Sequence, residues 1–204
     1  MIVCLEGIDA CGKGTQSKLL ANRMHAHLYH FPEYTSRTGR LIQRHLKGEW
    51  TAVDGSGADS SELNALVFQS LMLTNRMELA SQLMQHRLAG RDIVLDRYWP
   101  SGIVYGSADG LSFEYLLEIH KTLPQAHHYV LIDIPAEASK NRRPERSDRY
   151  ERQEGLMENV AERYRELWEL MSRLHMSSWH MVDGTGSIAD VEARILSVLK
   201  TSET

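Results

Sequence analysis

Cysteine is scarce in this chain. The 204 residues hold two, Cys4 and Cys11. Two thiols cannot build a disulfide framework, and they fit a reducing compartment, so a cytoplasmic location is expected. No apolar run approaches the ~18 residues needed to span a bilayer. The first residues lack the basic n-region and long apolar stretch of a signal peptide. Positive charge is also in short supply: 23 Lys and Arg face 27 Asp and Glu, for a net charge of −4. Nucleic acid and membrane are therefore not expected partners, and any phosphate chemistry must rest on local basic clusters. There is no internal repeat, no low-complexity tract and no guanine-reading N-K-x-D stretch. His25, His27 and His30 lie close together, yet no nearby cysteine completes a tetrahedral metal set.

What is present is an alternation. "IVCLE" (2–6), "IVLD" (93–96), "HYVLIDI" (128–134) and "WHMVD" (179–183) read as buried strands, with "HLYHF" (27–31) a weaker fifth. Apolar residues recur at helical spacing over 15–27, 61–88, 111–123, 151–175 and 187–200. In the second of these, Leu63, Leu66, Val67, Met77 and Met84 fall on one face, with Glu62, Asn75 and Glu78 elsewhere. "TAVDGSGADSS" (51–61) reads as a long loop. Strand–helix alternation with right-handed crossovers gives an α/β fold, a five-stranded parallel sheet flanked by helices, as a single domain over 1–204.

The first strand runs into "GIDACGKGTQ" (7–16), close to G-x-x-x-x-G-K-[ST]. Gly7, Gly12, Lys13 and Gly14 supply what a phosphate cradle needs. Glycines turn backbone N–H groups inward, a helix N-terminus follows, and a lysine reaches the β- and γ-phosphates. Ala10, Cys11 and Thr15 complete the expected ATP-binding stretch. Gly14 stands where a hydroxyl usually touches Mg²⁺, which shifts the metal towards nucleotide oxygens, water and carboxylates. Asp96, at the end of "IVLD", is the expected carboxylate, acting through water. Cys11, near a helix N-terminus, reads as a small tolerated side chain rather than a reactive thiol.

"GIDACGKGTQ", "FPEYTSRTGRLIQRHL" (31–46), "LMLTNRMELA" (71–80) and "DRYWPSGIVYG" (96–106), in this order and spacing, resemble the thymidylate kinase family of P-loop nucleoside monophosphate kinases. "RRPERSDRYE" (142–151) fits as the lid, and "VDGTGSIADV" (182–191) as the loop under adenine. The resemblance covers nearly the whole chain. It implies the three-layer sandwich of such kinases, Mg²⁺ as cofactor, ATP as donor, a small-molecule nucleotide acceptor and a homodimer. It further implies that Asp9 binds the acceptor's 3′-hydroxyl and that Arg97 binds its phosphate, a role that suits a two-pronged guanidinium. By the same resemblance Arg76 contacts the carbonyl edge of thymine, and Tyr105 crowds the 2′ side of the sugar. Ser101 and Gly102 wall the base, and Phe31 and Tyr34 flank sugar and phosphate.

Two positions depart from the family. Met72 stands where a ring usually stacks on thymine, and a thioether is flexible and lacks aromatic stacking. Phe68, a turn further along, substitutes only if the helix shifts. Tyr34 stands where many relatives carry arginine. Both departures leave room for a modified pyrimidine or a wider deoxynucleotide range. The lid segment, about 141–151, carries Arg142, Arg143, Arg146 and Arg149. Arg143 and Arg146 are the expected catalytic arginines, and Arg142 and Arg149 the nucleotide-binding ones. In phosphoryl transfer such cations supply positioning and charge stabilisation. With Ala10 in the phosphate loop, the chain looks like the family members that carry this arginine in the lid.

The leading expectation is transfer of a phosphoryl group from Mg·ATP to dTMP, giving dTDP. A deoxynucleoside kinase would instead need a base for a neutral hydroxyl, with Glu33 the candidate. A non-enzymatic nucleotide switch would require neither the arginine pair Arg76 and Arg97 nor a lid.

Overall fold

The computed structural model describes residues 1–50, 58–142, 155–174 and 178–200. Five strands form one sheet: β1 (Ile2–Glu6), β2 (His27–His30), β3 (Ile93–Asp96), β4 (His128–Asp133) and β5 (Trp179–Asp183), in the order β2-β3-β1-β4-β5. Every pairing is parallel. β1 is buried along its whole length, as befits a central strand covered on both faces. β2 is an edge strand and mostly exposed, which accounts for its weaker apolar pattern.

Eight helices are described: α1 (Lys13–Met24), α2 (Arg37–Leu46), α3 (Ala58–Leu88), α4 (Trp99–Ala108), α5 (Phe113–His120), α6 (Ala136–Arg142), α7 (Leu156–Arg173) and α8 (Ile188–Lys200). α1 packs with α8, while α4 packs with α3, α5 and α7. The core joins β1, β3 and β4 to the inner faces of these helices, through residues such as Leu5, Leu95, Leu131, Val160 and Trp168.

Three helices do not announce themselves in the sequence. α2 is short and basic; Ser36 caps it by accepting from the Gly39 amide at 3.0 Å. α4 begins with a proline near its N-terminus, where the missing N–H costs nothing, and contains two glycines. α6 is polar along most of its length. The stretch read as a loop over 51–61 also needs correction, because α3 already starts at Ala58.

The phase of α3 differs from expectation. Leu63, Met77 and Met84 are exposed, and Leu66 and Val67 only half-buried. The buried face carries Ala65, Phe68, Gln69, Asn75, Arg76 and Leu83. Asn75, expected off the apolar face, donates to Glu33 O, Ser36 Oγ and Thr38 Oγ1, and accepts from the Glu33 amide. The inner face of this helix mixes the core residues Ala65, Phe68 and Leu83 with the polar Gln69, Asn75 and Arg76, so hydrophobicity alone points to the wrong side.

Candidate active site

The sheet brings its carboxyl-terminal strand ends together, the place where open parallel sheets bind ligands. β1 leads into the 7–16 loop. In register with its end lies Asp96 at the end of β3, opposite Leu5 on one side and His30 on the other. Gly12 adopts φ 100° and caps α1, a left-handed conformation natural to glycine. Ala10 (φ 55°) and Arg97 (φ 65°) are held in the same region despite their side chains, a strain that collects at functional sites.

Two cavities meet here. One is lined by Ala10, Lys13, Gly14, His30, Phe31, Gln43, Lys47 and Asp96. The other is lined by Phe68, Gln69, Met72, Ser101 and Tyr105. Asp9, Pro32, Tyr34, Leu46 and Arg97 line both. Arg97 and Asp9 thus stand at the junction of a phosphate-loop cavity and a second, largely apolar one.

Charge at the junction is arranged around one carboxylate. Asp9 Oδ1 accepts from Arg97 Nη2 and lies 3.5 Å from Lys13 Nζ. Burial alone would raise the Asp9 pKa, but the two cations prevail and hold it at about 2. The Tyr105 hydroxyl donates to Asp9 Oδ2 at 3.5 Å, and the Arg97 guanidinium sits 5.5 Å from the centre of the Tyr105 ring. Arg97 Nη1 also donates to Ser101 Oγ (3.3 Å) and Tyr164 Oη (3.2 Å). Both hydroxyls reach the buried Glu6 carboxylate, at 2.6 and 2.9 Å. Glu6, Tyr164, Gln69, Pro32 and Leu46 were not singled out from sequence. They are a strand-end acid, two core-like side chains, a proline and a polar residue on a long helix, and no short motif marks them.

Asp96 accepts from His30 Nδ1 at 3.0 Å through Oδ2, while its buried Oδ1 has no hydrogen-bond partner among the described residues. Burial opposes its ionisation, but His30, Lys13 and Arg97 outweigh this and lower its pKa. A Cβ at Gly14 would stand 3.2 Å from Asp96 Oδ2. The glycine therefore leaves this carboxylate its room beside His30.

Other expected site residues are placed as follows. Lys13 donates to Ile8 O at 3.1 Å, inside the loop. Cys11 is buried, and burial raises its thiol pKa, the opposite of an activated cysteine. Gly7 lies where a Cβ would meet Ile132 O at 2.6 Å, and Thr15 is exposed on the first turn of α1. Phe31 lines the phosphate-loop cavity, with its ring packed on Tyr98 at 5.2 Å. Phe68 lines the second cavity beside Met72 as the helix stands, with no shift, and stacks on His45 at 4.3 Å. Arg76 and Gly102 line neither cavity, although Ser101 beside Gly102 lines the second: a Cβ on Gly102 would meet Arg76 Nη1 at 3.2 Å and His120 Nε2 at 2.6 Å. Glu33 turns to Thr35, accepting from its amide and hydroxyl, and lines neither cavity.

At the foot of the expected lid, Arg142 donates to Ala10 O, Cys11 O and Gly184 O. It ties the phosphate loop to the loop after β5. Arg143, Arg146 and Arg149 lie outside the described residues.

The family model described as thymidylate kinase matches residues 5–195. The thymidylate kinase of Schizosaccharomyces pombe is 27% identical over 97% of this chain and 90% of its own length. A probable thymidylate kinase of Pyrococcus horikoshii is 30% identical over 97% of this chain and 95% of its own. Among solved structures, thymidylate kinase from Candida albicans superposes with a TM-score of 0.83 at 23% identity, covering 99% of this chain and 92% of that one. With the family model matched over residues 5–195, and with a phosphate loop and two cavities joined at Arg97, the chain belongs to the thymidylate kinase family.

Proposed function

We infer that this protein transfers the γ-phosphoryl group of ATP to dTMP, giving dTDP and ADP. The observation that carries the reading is the pair of cavities sharing Asp9 and Arg97: donor phosphates on one side, acceptor on the other. An acceptor phosphate is already an ionised nucleophile, so the reaction needs cations and alignment rather than a base. The position of Glu33, turned away to Thr35, gives a nucleoside kinase no base.

In this reading the loop amides from Gly7 to Thr15 cradle the ATP phosphates, and Lys13 swings from Ile8 O and Asp9 to the β- and γ-phosphates. Arg97 grips the acceptor phosphate and keeps it in line with the transferred group. Asp9 takes the 3′-hydroxyl, with Tyr105 against the 2′ carbon, Tyr34 and Phe31 beside sugar and phosphate, and Ser101 and Met72 around the base. Arg76 reads the carbonyl edge from behind, where Gly102 leaves it room. Arg142 steadies the loop under adenine, and Arg143, Arg146 and Arg149 bring further cations to the phosphates from the lid.

Mg²⁺ fits the residues present: Asp96 Oδ1, buried and without a hydrogen-bond partner among the described residues, would accept from a water on the ion. Bound there with the nucleotide, the ion would supply positive charge against the phosphates. Among the described residues no group of three or more His, Cys, Asp or Glu could hold a metal.

Two further expectations complete the proposal. The exposed apolar stripe of α3 supports a homodimer, and two free, buried cysteines support a cytoplasmic location. Among the described residues no helix is long and apolar enough to cross a membrane.

ADP release from Mg·ATP with dTMP, dUMP, dCMP, dGMP, UMP and thymidine tests the reading. Preference for dTMP is expected, and Arg97→Met should lower kcat/KM for it by about 100-fold or more, as loss of a preorganised cationic donor does. Turnover of thymidine without turnover of dTMP would overturn it.

A further inference from the structure

We propose that Gln69 reads the pyrimidine edge of the acceptor, its carboxamide accepting the imide N3–H and donating to an adjacent carbonyl. The proposal rests on the second cavity being the acceptor site. Three observations lead to it.

Gln69 is 1% exposed and yet lines that cavity. Its Oε1 has no hydrogen-bond partner among the described residues. A buried amide oxygen without a donor destabilises the fold unless something arrives to supply one. Whichever way the carboxamide is turned, it offers one acceptor and two donors.

The second observation is the helix behind it. Gly102 and Gly106 lie one turn apart on the α4 face that meets α3. A Cβ on Gly102 would stand 3.2 Å from Arg76 Nη1, and one on Gly106 would stand 3.2 Å from Gln69 Cγ. The two glycines are four residues apart, about 6 Å along the axis. The nearest atoms to these two positions belong to His120 and Leu116 of α5, and Arg76 and Gln69 of α3 come next, so both polar side chains lie against the bare stretch of α4.

The third is complementarity. Arg76 is fully buried, with Nε and Nη2 unpartnered among the described residues, and it can only donate. A donor-only group suits a carbonyl oxygen, and beside it an acceptor is needed for N3–H. Gln69 supplies that acceptor. Cytosine, with an amino group in place of O4 and a bare N3, would set donor against donor at Arg76. The pair therefore selects an imide, thymine or uracil.

The test is steady-state kinetics with dTMP, N3-methyl-dTMP and dCMP for the wild type, Gln69→Met and Gln69→Glu. Methionine keeps length and volume while removing both hydrogen-bonding groups, whereas glutamate keeps an acceptor for N3–H. We expect the wild type to reject N3-methyl-dTMP. Gln69→Met should lose about 10- to 100-fold in kcat/KM for dTMP, the usual loss when a buried polar partner is removed. It should narrow the gap between dTMP and N3-methyl-dTMP by a similar factor, with the KM for ATP unchanged. Gln69→Glu should retain discrimination against N3-methyl-dTMP. An unchanged dTMP to N3-methyl-dTMP ratio in Gln69→Met overturns the proposal. If that variant fails to fold, the wild type decides: equal use of both nucleotides overturns the role of Gln69 alone, and rejection of the methylated one supports it. A wild type with no activity on any pyrimidine monophosphate overturns the acceptor-site reading, and the role of Gln69 with it.

Discussion

Glu6 is wholly buried at the end of β1 and forms no ion pair with a cation among the described residues. Its Oε1 accepts from the Tyr98 amide at 2.7 Å and the Ser101 amide at 3.3 Å, and its Oε2 takes the hydroxyls of Ser101 and Tyr164. The carboxylate thereby caps the start of α4, where a negative charge is welcome. With their protons committed to Glu6, the two hydroxyls present lone pairs to Arg97. Glu6→Gln would set an NH₂ group against one of these donors. It should cost about 1.5–3 kcal/mol, as for hydrogen bonds to buried charges, read from the urea midpoint. It should also lower kcat/KM for dTMP as Arg97 loses its seat. His120 gives a second expectation at this scale. It donates from Nδ1 to Leu116 O and turns Nε2 towards Arg76 at 3.5 Å. Burial first, and then the Arg76 charge, lower its pKa from 6.5 to about 3. Between these values the unfolded chain binds the extra proton, so stability should fall as pH drops below about 6.5. The slope should approach ~1.4 kcal/mol per pH unit. Denaturant midpoints between pH 4 and 7 should show a shallower slope in His120→Gln.

The packing of α3 on α4 depends on what α4 lacks. A Cβ at Gly102 would lie 2.6 Å from the His120 ring, and the Arg76 side chain wedged on the other side leaves it little space to move. Gly102→Ala should destabilise by about 1–3 kcal/mol, the usual penalty for overpacking a tight contact. It should also raise the KM for dTMP more than that for ATP, and both are measurable on one preparation. α4 explains which elements can be read from sequence. The strands are legible because each is a short apolar run, and the phosphate loop because glycines and a lysine recur at fixed spacing after one of them. α2, α4 and α6 are not, because a glycine-rich or polar helix owes its existence to caps and neighbours rather than to periodicity. At the site, Asp9, Lys13, Asp96 and Arg97 are legible because they stand in short motifs. Gln69 and Glu6 are not, since a glutamine on a long helix and an acid at a strand end look solvated until the fold buries them.

On the scale of the whole molecule, α3 is the longest element, 31 residues or about 46 Å. Its inner face meets α2, α4 and the cavity lined by Gln69 and Met72. Its outer face shows Leu63, Met77, Met84 and the 82%-exposed Leu88 along one stripe. Such a stripe is the kind of surface that a second copy covers. On the homodimer proposed above, Met77→Glu combined with Met84→Glu should shift the protein from dimer to monomer in sedimentation velocity, while leaving the phosphate loop's affinity for ATP intact. Two unrelated requirements are in this way written on one helix in alternating phase. Substituting each position from Ser61 to Leu88 in turn would separate them like two melodies on one staff. One set of positions would alter which nucleotide is used at any protein concentration. The other, half a turn away, would matter only when the solution is dilute.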